Sequence, residues 1–160
     1  MTNSHHDMVA CARVRARGFT LIELMITVAI AAVLMSIAFP LYLHQIRESR
    51  RTDARSALLD LASREERYYS MQNAYSSTAT DLGYTAWPQT VGSGYYQLSQ
   101  PANISAATAT TPATFTLTAV PIAGKGQDKD TDCQSFVVTQ TGQETSTNGA
   151  GVDSSATCWK

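Results

Sequence analysis

Histidine is scarce in this chain of 160 residues, with only three, at positions 5, 6 and 44. The part of the chain after position 44 therefore lacks the imidazole that a Ser-His-Asp triad or a histidine metal site requires. A glycine-rich phosphate loop following a strand is also absent. These absences argue against an enzyme, and we expect the protein to have no catalytic residue, no metal and no cofactor.

Charge is sparse and unevenly placed. Charged residues are 16% of the chain against 44% hydrophobic residues, which is too apolar for a disordered protein. Nine of the 12 basic residues precede position 68, and only Lys125, Lys129 and Lys160 follow. With a formal net charge of -1, the chain lacks the surplus of clustered cations that a general nucleic-acid binder uses. Nucleic acid is therefore a conceivable partner that we do not favour.

The three cysteines are also unevenly placed. Cys11 lies among the first arginines, whereas Cys133 and Cys158 lie in the distal half. If the first stretch is removed, an even pair remains. Two cysteines in a small polar domain fit an oxidising compartment, and this indicates export.

One long apolar run extends from Phe19 to Leu43, and Glu23 is its only charged residue. As a helix it would be about 37 Å long, enough to cross a hydrocarbon core of about 30 Å. The basic residues ahead of it are predicted to stay in the cytoplasm by the positive-inside rule: Arg13, Arg15 and Arg17. We therefore expect a single-pass span with its N-terminus inside and its C-terminal domain outside.

Two ordinary interpretations of this run leave Glu23 unexplained. One is a secretory signal cleaved near Ser36 and Ala38, and the other is a simple membrane anchor. A carboxylate deep in lipid costs about 2.5–3.5 kcal/mol unless it is paired or lies near the interface.

The residues from Gly18 to Met25, GFTLIELM, resemble the type IV pilin signature. The resemblance implies that a prepilin peptidase cuts between Gly18 and Phe19 and that Phe19 is then N-methylated. It divides the chain into a leader, 1–18, that is removed, a transmembrane and assembly helix, 19–43, and an extracytoplasmic part, 44–160. It implies other pilin subunits and the inner-membrane pilus assembly machinery as partners.

Glu23 lies four positions after Phe19, one helical turn away on the same face. Its carboxylate can neutralise the new amine of Phe19, either in its own chain or in a neighbouring subunit. In a low-dielectric bundle an unpaired carboxylate is costly, so this pairing would select one axial register. The alternative, in which Glu23 reaches the membrane interface, stays open.

Pro40 matches a proline that pilins carry at a similar distance from the cleavage site, and it predicts a kink. The alternative is that the spanning helix ends there. From Tyr42 to about Met71 there is no glycine or proline, and the pattern indicates that a second helical half continues the first to about 50 residues.

This second half is predicted to be amphipathic. One stripe is expected to face a sheet: Ala54, Ala57, Leu58, Leu61, Glu65, Tyr68 and Tyr69. The other faces carry charged residues: Arg51, Arg55, Asp60, Arg64 and Arg67. The arginines at 47–55 suggest lipid or DNA phosphates, but Glu48 and Asp53 lie among them. A solvated face with ion pairs along the helix is the commoner outcome.

Strand signals occur at 95–98, at the alternating Phe115, Leu117 and Ala119, and at 135–139. Residues 143–145 form a plausible hairpin partner after the Thr141-Gly142 turn, and 104–112 is predicted to be loop. We therefore expect an α+β pilin fold, with the long helix packed on an antiparallel sheet of three or four strands.

Segments 68–75 and 81–84 and the terminal Cys158-Trp159 pair resemble minor pilins of the PilE type. This resemblance implies a Cys133–Cys158 disulfide that bounds the C-terminal region. The alternating Asp128, Asp130 and Asp132 also suggest a calcium loop, but the EF-hand pattern fails and a solvated turn is the commoner outcome.

The function implied is that of a structural minor pilin, first in the inner membrane and then in the extracellular pilus, or fimbrium. Roles in pilus assembly, adhesion and twitching motility follow from the resemblance. Two alternatives remain: a DNA-binding pilin for uptake in natural transformation, and a type II secretion pseudopilin.

Overall fold

The computed structural model describes residues 18–160. The leader that the sequence predicts therefore lies outside the described residues, apart from Gly18, and Cys11 lies outside them as well. The chain forms two compact units, one that reaches Pro40 and a second that comprises Leu41–Lys160.

A single helix, α1, extends over Leu21–Gln72, 52 residues. This confirms the expected helix of about 50 residues, and because the helix continues through Pro40 it does not end there. No glycine and no other proline interrupts the segment. Asn73, with φ of 54°, terminates the helix in the left-handed conformation.

The first half of α1 is apolar on every face. Its most apolar window has a mean hydropathy of 2.4, and residues 18–160 bury none of that window. The helix is therefore long and apolar enough to cross a membrane. An apolar surface of this extent needs lipid or other helices to cover it.

The second half of α1 buries one stripe of side chains. Ala54, Leu58, Leu61 and Glu65 are fully buried on it, as the periodicity predicts. Arg51 is buried too, with 4% of its surface exposed. The expectation that Arg51 is solvated was wrong, because its guanidinium binds the buried carboxylate of Asp130, in a loop between two strands.

The opposite layer is a six-stranded antiparallel sheet in the order β1-β2-β4-β5-β6, with β3 paired to β4. Its strands are β1 Gln89–Val91, β2 Tyr96–Leu98, β3 Ala102–Ser105, β4 Thr114–Pro121, β5 Ser135–Thr139 and β6 Glu144–Thr147. A short helix, α2, follows at Ser155–Cys158. The α+β fold class with a long helix on an antiparallel sheet is confirmed.

The sheet has two strands more than the upper expectation. The four expected segments correspond to β2, β4, β5 and β6, whereas β1 and β3 have three and four residues and consist mostly of small or polar residues. β3 also occupies the first two positions of the stretch 104–112 that was expected to be loop. Such short strands carry too little alternation to be recognised in a sequence.

Strand β4 lies at the centre of the sheet. β5 pairs along one side of it, while β2 and β3 pair with different halves of its other side. Phe115, Leu117 and Ala119 point into the core, and threonines alternate with them on the outer face. Between Asp81 and Lys125 the chain contains no Asp, Glu, Lys, Arg or His.

A buried ion pair attaches the β4–β5 connection, residues 122–134, to α1. The Arg51 guanidinium donates to both carboxylate oxygens of Asp130, from Nε at 2.8 Å and from Nη2 at 2.7 Å. The Gln127 amide lies against the same carboxylate at 3.0 Å and against the Tyr96 hydroxyl at 2.9 Å. The solvated turn expected here was therefore wrong for Asp130, which Arg51 stabilises in the interior.

The disulfide between Cys133 and Cys158 is present, as expected, and both cysteines are buried. It fastens α2 to the start of β5. Trp159 adds a second attachment, because its indole N–H donates to the Thr145 carbonyl at 2.9 Å. The C-terminal segment is therefore fixed to β5 and β6.

Removing one partner of the buried ion pair should strongly destabilise the second unit. We expect Asp130→Ala to lower the free energy of unfolding by about 3–5 kcal/mol, because the Arg51 charge stays buried without a partner. Trp87 and Trp159 both belong to this unit, so their fluorescence in a urea titration of the full chain in detergent reports its unfolding.

Asp132→Ala is the matched control. Asp132 lies 3.8 Å from Arg51 but its side chain is 58% exposed, and removal of such a pair should cost less than about 1 kcal/mol. Equal effects of the two substitutions would contradict a dominant role for the buried pair.

Candidate functional site

The start of α1 carries the residues that the sequence marks as a processing and assembly site. Gly18 and Phe19 precede the helix, and Phe19 is 83% exposed. Thr20 caps the helix, because its Oγ1 accepts the Glu23 backbone N–H at 3.3 Å. The Thr20-x-x-Glu23 spacing is that of a capping box, and a carboxylate in the first turn also suits the helix dipole.

Gly18, Phe19, Thr20 and Glu23 line one open groove at this end of the helix. The structure thus places Gly18 and Phe19, where the sequence predicts cleavage, next to Glu23. Pro40 lies in the interior of α1, and the disulfide belongs to the unit Leu41–Lys160, so neither contributes to this groove.

A second group of functional side chains lies where α1 ends and the chain turns back toward the sheet. The Arg64 guanidinium donates to Asp60 at 2.8 Å and to the Leu82 carbonyl at 3.0 Å, and it lies 4.9 Å from the centre of the Tyr84 ring. Tyr84 in turn packs against Trp87, with ring centres 5.2 Å apart. One arginine and two aromatic rings therefore lie side by side along this surface.

Gly83 makes the close approach of Arg64 possible. Its φ is 78°, and a Cβ at this position would lie 2.7 Å from Arg64 Nη1. Beside it is the groove that we name the Arg67 groove. It is lined by side chains of α1 and by the short 3-10 helix and its cap: Arg64, Arg67, Tyr68, Met71, Thr80, Asp81, Leu82 and Gly83.

Glu65 lies beneath this turn and is fully buried. Its Oε2 accepts the Ser76 backbone N–H at 3.0 Å, while no described residue bonds to Oε1. Burial raises the pKa of Glu65 to about 7, assisted by the nearby charges of Glu66 and Asp81 and opposed by the Ser76 hydrogen bond. Glu65 thus anchors the chain just after α1 at an electrostatic cost.

The aspartates at 128, 130 and 132 do not form a cation site. Within residues 18–160, no three His, Cys, Asp or Glu side chains converge to hold a metal. Hydrogen bonds from the Gly124 and Gly126 backbone N–H groups lower the pKa of Asp128. Asp130 is bound to Arg51. The carboxylates of Asp128 and Asp130 are therefore both occupied by contacts within the fold.

Sequence reasoning missed the Arg51–Asp130 pair and the alignment of Arg64 with Tyr84 and Trp87. The first pair joins positions 79 residues apart, and no local pattern predicts such a contact. Of the two tyrosines expected on the stripe that faces the sheet, Tyr68 packs against the buried core. Tyr69 stacks on Tyr75, which in turn packs edge-on against Phe115 of the sheet with ring centres 4.7 Å apart.

Comparison with known proteins gives three matches. A family model described as "Type IV minor pilin ComP, DNA uptake sequence receptor" matches residues 40–137, and one described as "Prokaryotic N-terminal methylation motif" matches residues 13–39. The type IV major pilin protein PilA of Myxococcus xanthus (strain DK1622) is 39% identical over 70 residues. That alignment covers 44% of this chain and 32% of PilA, so the chain matches about a third of its relative's length.

The buried Glu65 should make stability depend on pH in a predictable direction. The pKa of Glu65 is raised in the folded state. Its contribution to the free energy of unfolding is therefore most favourable below the pKa of the unfolded chain, near 4.5, and is lost as pH rises toward 7. We expect Glu65→Gln to remove this loss, which corresponds to roughly 3 kcal/mol between pH 4 and pH 8.

Urea titrations of the full chain in detergent across this pH range provide the measurement. Glu48→Gln, which removes an exposed carboxylate of the same helix that does not contribute to the Glu65 shift, should retain the wild-type slope. If Glu65→Gln instead retained that slope, another group would have to carry the pH dependence.

Proposed function

The chain belongs to the type IV pilin family, and from this membership we propose that it is a minor pilin that enters a type IV pilus through its N-terminal helix. The observation that carries the proposal is the apolar half of α1, which has no burial within its own chain and follows directly on the methylation motif. A helix of this kind needs lipid at first and other helices after assembly. Pilins are structural proteins, and the function is accordingly assembly.

We propose that prepilin peptidase cuts between Gly18 and Phe19 and that Phe19 is then N-methylated. Residues 19–43 would hold the chain in the inner membrane as a single span with the N-terminus inside. The arginines that precede the helix support this orientation. The Cys133–Cys158 disulfide supports an oxidising location for the second unit.

Glu23 is proposed to set the axial register of the assembled helices. Its carboxylate and the amine of Phe19 lie at the same end of α1, and in a bundle of apolar helices both charges need partners. Pairing between the carboxylate of one subunit and the amine of the next satisfies both at one axial offset. Pro40, which lacks the backbone N–H, loosens α1 about 21 residues further along.

The minor role, as opposed to the major one, is supported by the family model over residues 40–137, whose printed description is that of a minor pilin. The Myxococcus xanthus relative is named as a major pilin, but it aligns with 44% of this chain. Adhesion and twitching motility are the roles we propose for the assembled filament.

Two substitutions at Glu23 separate its charge from its role as a helix cap. Glu23→Gln keeps a capping-box residue but removes the charge, whereas Glu23→Ala removes both. If the charge sets the register, both variants should lose filament incorporation by at least about tenfold, which corresponds to roughly 1.4 kcal/mol. Incorporation is measured as the amount of this chain in sheared pili relative to the membrane fraction.

The mass of the mature N-terminus is the internal control, since both variants should still begin with methylated Phe19. Wild-type incorporation of Glu23→Gln, with loss in Glu23→Ala, would reassign Glu23 to helix capping. A mature chain that begins at another residue would contradict the proposed cleavage between Gly18 and Phe19.

A second candidate function is DNA reception during uptake. The matched family model is described as a DNA uptake sequence receptor, and the Arg67 groove offers a surface that suits it. Arg64 is stacked on Tyr84, and Arg67 is exposed beside it. Arginine contacts phosphate oxygens well, which suits the backbone of a DNA duplex.

Duplex DNA binding by the full chain in detergent should weaken as salt is raised, because each phosphate contact releases a counterion. We expect Arg67→Gln to reduce the slope of log affinity against log salt by about one. Lys160→Gln, which alters a cation outside this groove, is the control and should keep the slope. Absence of salt-sensitive binding in the wild type would remove this second function.

A further inference from the structure

Basic residues gather at one end of the second unit, around the β4–β5 connection, and Arg47 of α1 is half-buried there. Gln127 in this connection is buried, and its amide lies 3.2 Å from the Arg47 carbonyl of α1. Lys125 and Lys129 each lie two residues from Gln127, so their Cα atoms lie within about 7 Å of its Cα. Both lysines are exposed.

This end of the unit adjoins the apolar run by covalent continuity. Arg47 follows Leu43, the last residue of the run, by four residues, which is about 6 Å along a helix axis. If residues 19–43 span the membrane, as the proposed function requires, Arg47 and the connection beside it lie at the level of the lipid headgroups. We propose that Arg47, Lys125 and Lys129 bind the phosphates of anionic lipids while the subunit waits in the membrane.

The β4–β5 connection, which carries Lys125 and Lys129, is held in place by hydrogen bonds of its own. Arg51 holds Asp130 from the α1 side, and the Gln134 amide donates to the Asp128 and Asp130 carbonyls, both at 2.8 Å. Asp128 closes the loop through hydrogen bonds from Gly124 at 3.1 Å and Gly126 at 2.8 Å. Because the loop is ordered by its own contacts, headgroup binding does not have to order it.

The charges around this end favour an anionic partner. Arg50 adds a fourth cation and lies 3.5 Å from the centre of the Tyr95 ring. The nearby acidic groups are Glu48, which is exposed, and Asp128, which already accepts two backbone N–H groups. Asp130 is neutralised by Arg51, and Asp132 also lies within 3.8 Å of that guanidinium. With Arg51 paired to Asp130, two exposed lysines and two half-buried arginines stand against the carboxylates of Glu48, Asp128 and Asp132. Four cations against three carboxylates leave a small positive excess, and a lipid surface is the anionic partner that the span brings closest.

The chain contains only three lysines, so amine labelling reads this surface directly. Lys125 and Lys129 belong to it, and Lys160, whose backbone carbonyl accepts a hydrogen bond from Arg55 two helical turns beyond Arg47, is the control within the same molecule. The full chain is reconstituted at high dilution in phosphatidylcholine vesicles, with or without about 30% phosphatidylglycerol to supply anionic surface charge. A membrane-impermeant acylating reagent is added, and labelling rates are measured by peptide mass spectrometry.

Anionic vesicles should slow the labelling of Lys125 and Lys129 by at least about threefold, with a smaller change at Lys160, because surface attraction decays within a Debye length. Salt at about 0.5 M should abolish the difference through screening. Equal rates in the two vesicle types, or equal slowing at all three lysines, would overturn the proposal. Slowing that tracks the protein-to-lipid ratio, whatever the lipid, would assign the surface to a second copy instead.

Vesicle flotation separates this proposal from the function on which it rests. A chain that fails to float with either vesicle type would count against the membrane-spanning helix itself. A chain that floats normally, yet shows unchanged lysine rates, would overturn only the headgroup contact. The Lys125→Gln/Lys129→Gln variant should float like the wild type and retain Lys160 labelling at the wild-type rate.

Discussion

One helix has to satisfy two different surroundings, and this constraint organises the whole chain. No residue between 18 and 160 covers the first half of α1, so its apolar surface is stable only in lipid or among other helices. The second half buries a stripe against the sheet and leaves polar residues outside. Because the two halves form one uninterrupted helix, the assembly segment and the globular unit belong to the same element. A pilin needs this arrangement, since the subunit must exchange lipid contacts for helix contacts without unfolding its outer part.

Buried polar groups on α1 hold the connections of the outer unit in place. Arg51 binds the β4–β5 connection through Asp130, and Glu65 binds the segment after α1 through the Ser76 backbone N–H. Apolar packing alone does not specify how a loop lies, whereas a buried charge tolerates few arrangements. The ion pair is satisfied by several hydrogen bonds, while Glu65 retains an oxygen that no described residue bonds. The two sites therefore serve similar purposes at different electrostatic cost.

The long helix and four of the six strands could be predicted because their signals are local. The uninterrupted apolar run from Phe19 indicates a helix, and the alternation at Phe115, Leu117 and Ala119 indicates a strand. Strands β1 and β3 could not be predicted, since three or four residues that are mostly small or polar acquire strand geometry only by pairing with β2 and β4. The burial of Arg51 was missed for a related reason, because its partner lies in a distant loop that only the folded chain brings near. The processing site predicted at Gly18 and Phe19 rests on a short contiguous motif, and the methylation-motif model matches residues 13–39, which include it.

The absence of charge between Asp81 and Lys125 has a consequence for contacts made through the outer face of the sheet. That stretch supplies strands β1 to β4, and the outward side chains of β4 are threonines and Val120. Such a face offers hydroxyl groups and methyl groups but no fixed charge. Ionic strength therefore has little effect on the free energy of contacts made through it. Filaments that display it side by side would feel neither Coulomb repulsion nor salt-dependent attraction along it. Lateral bundling through this face would then be governed by shape and hydration, and would persist from dilute to saline media.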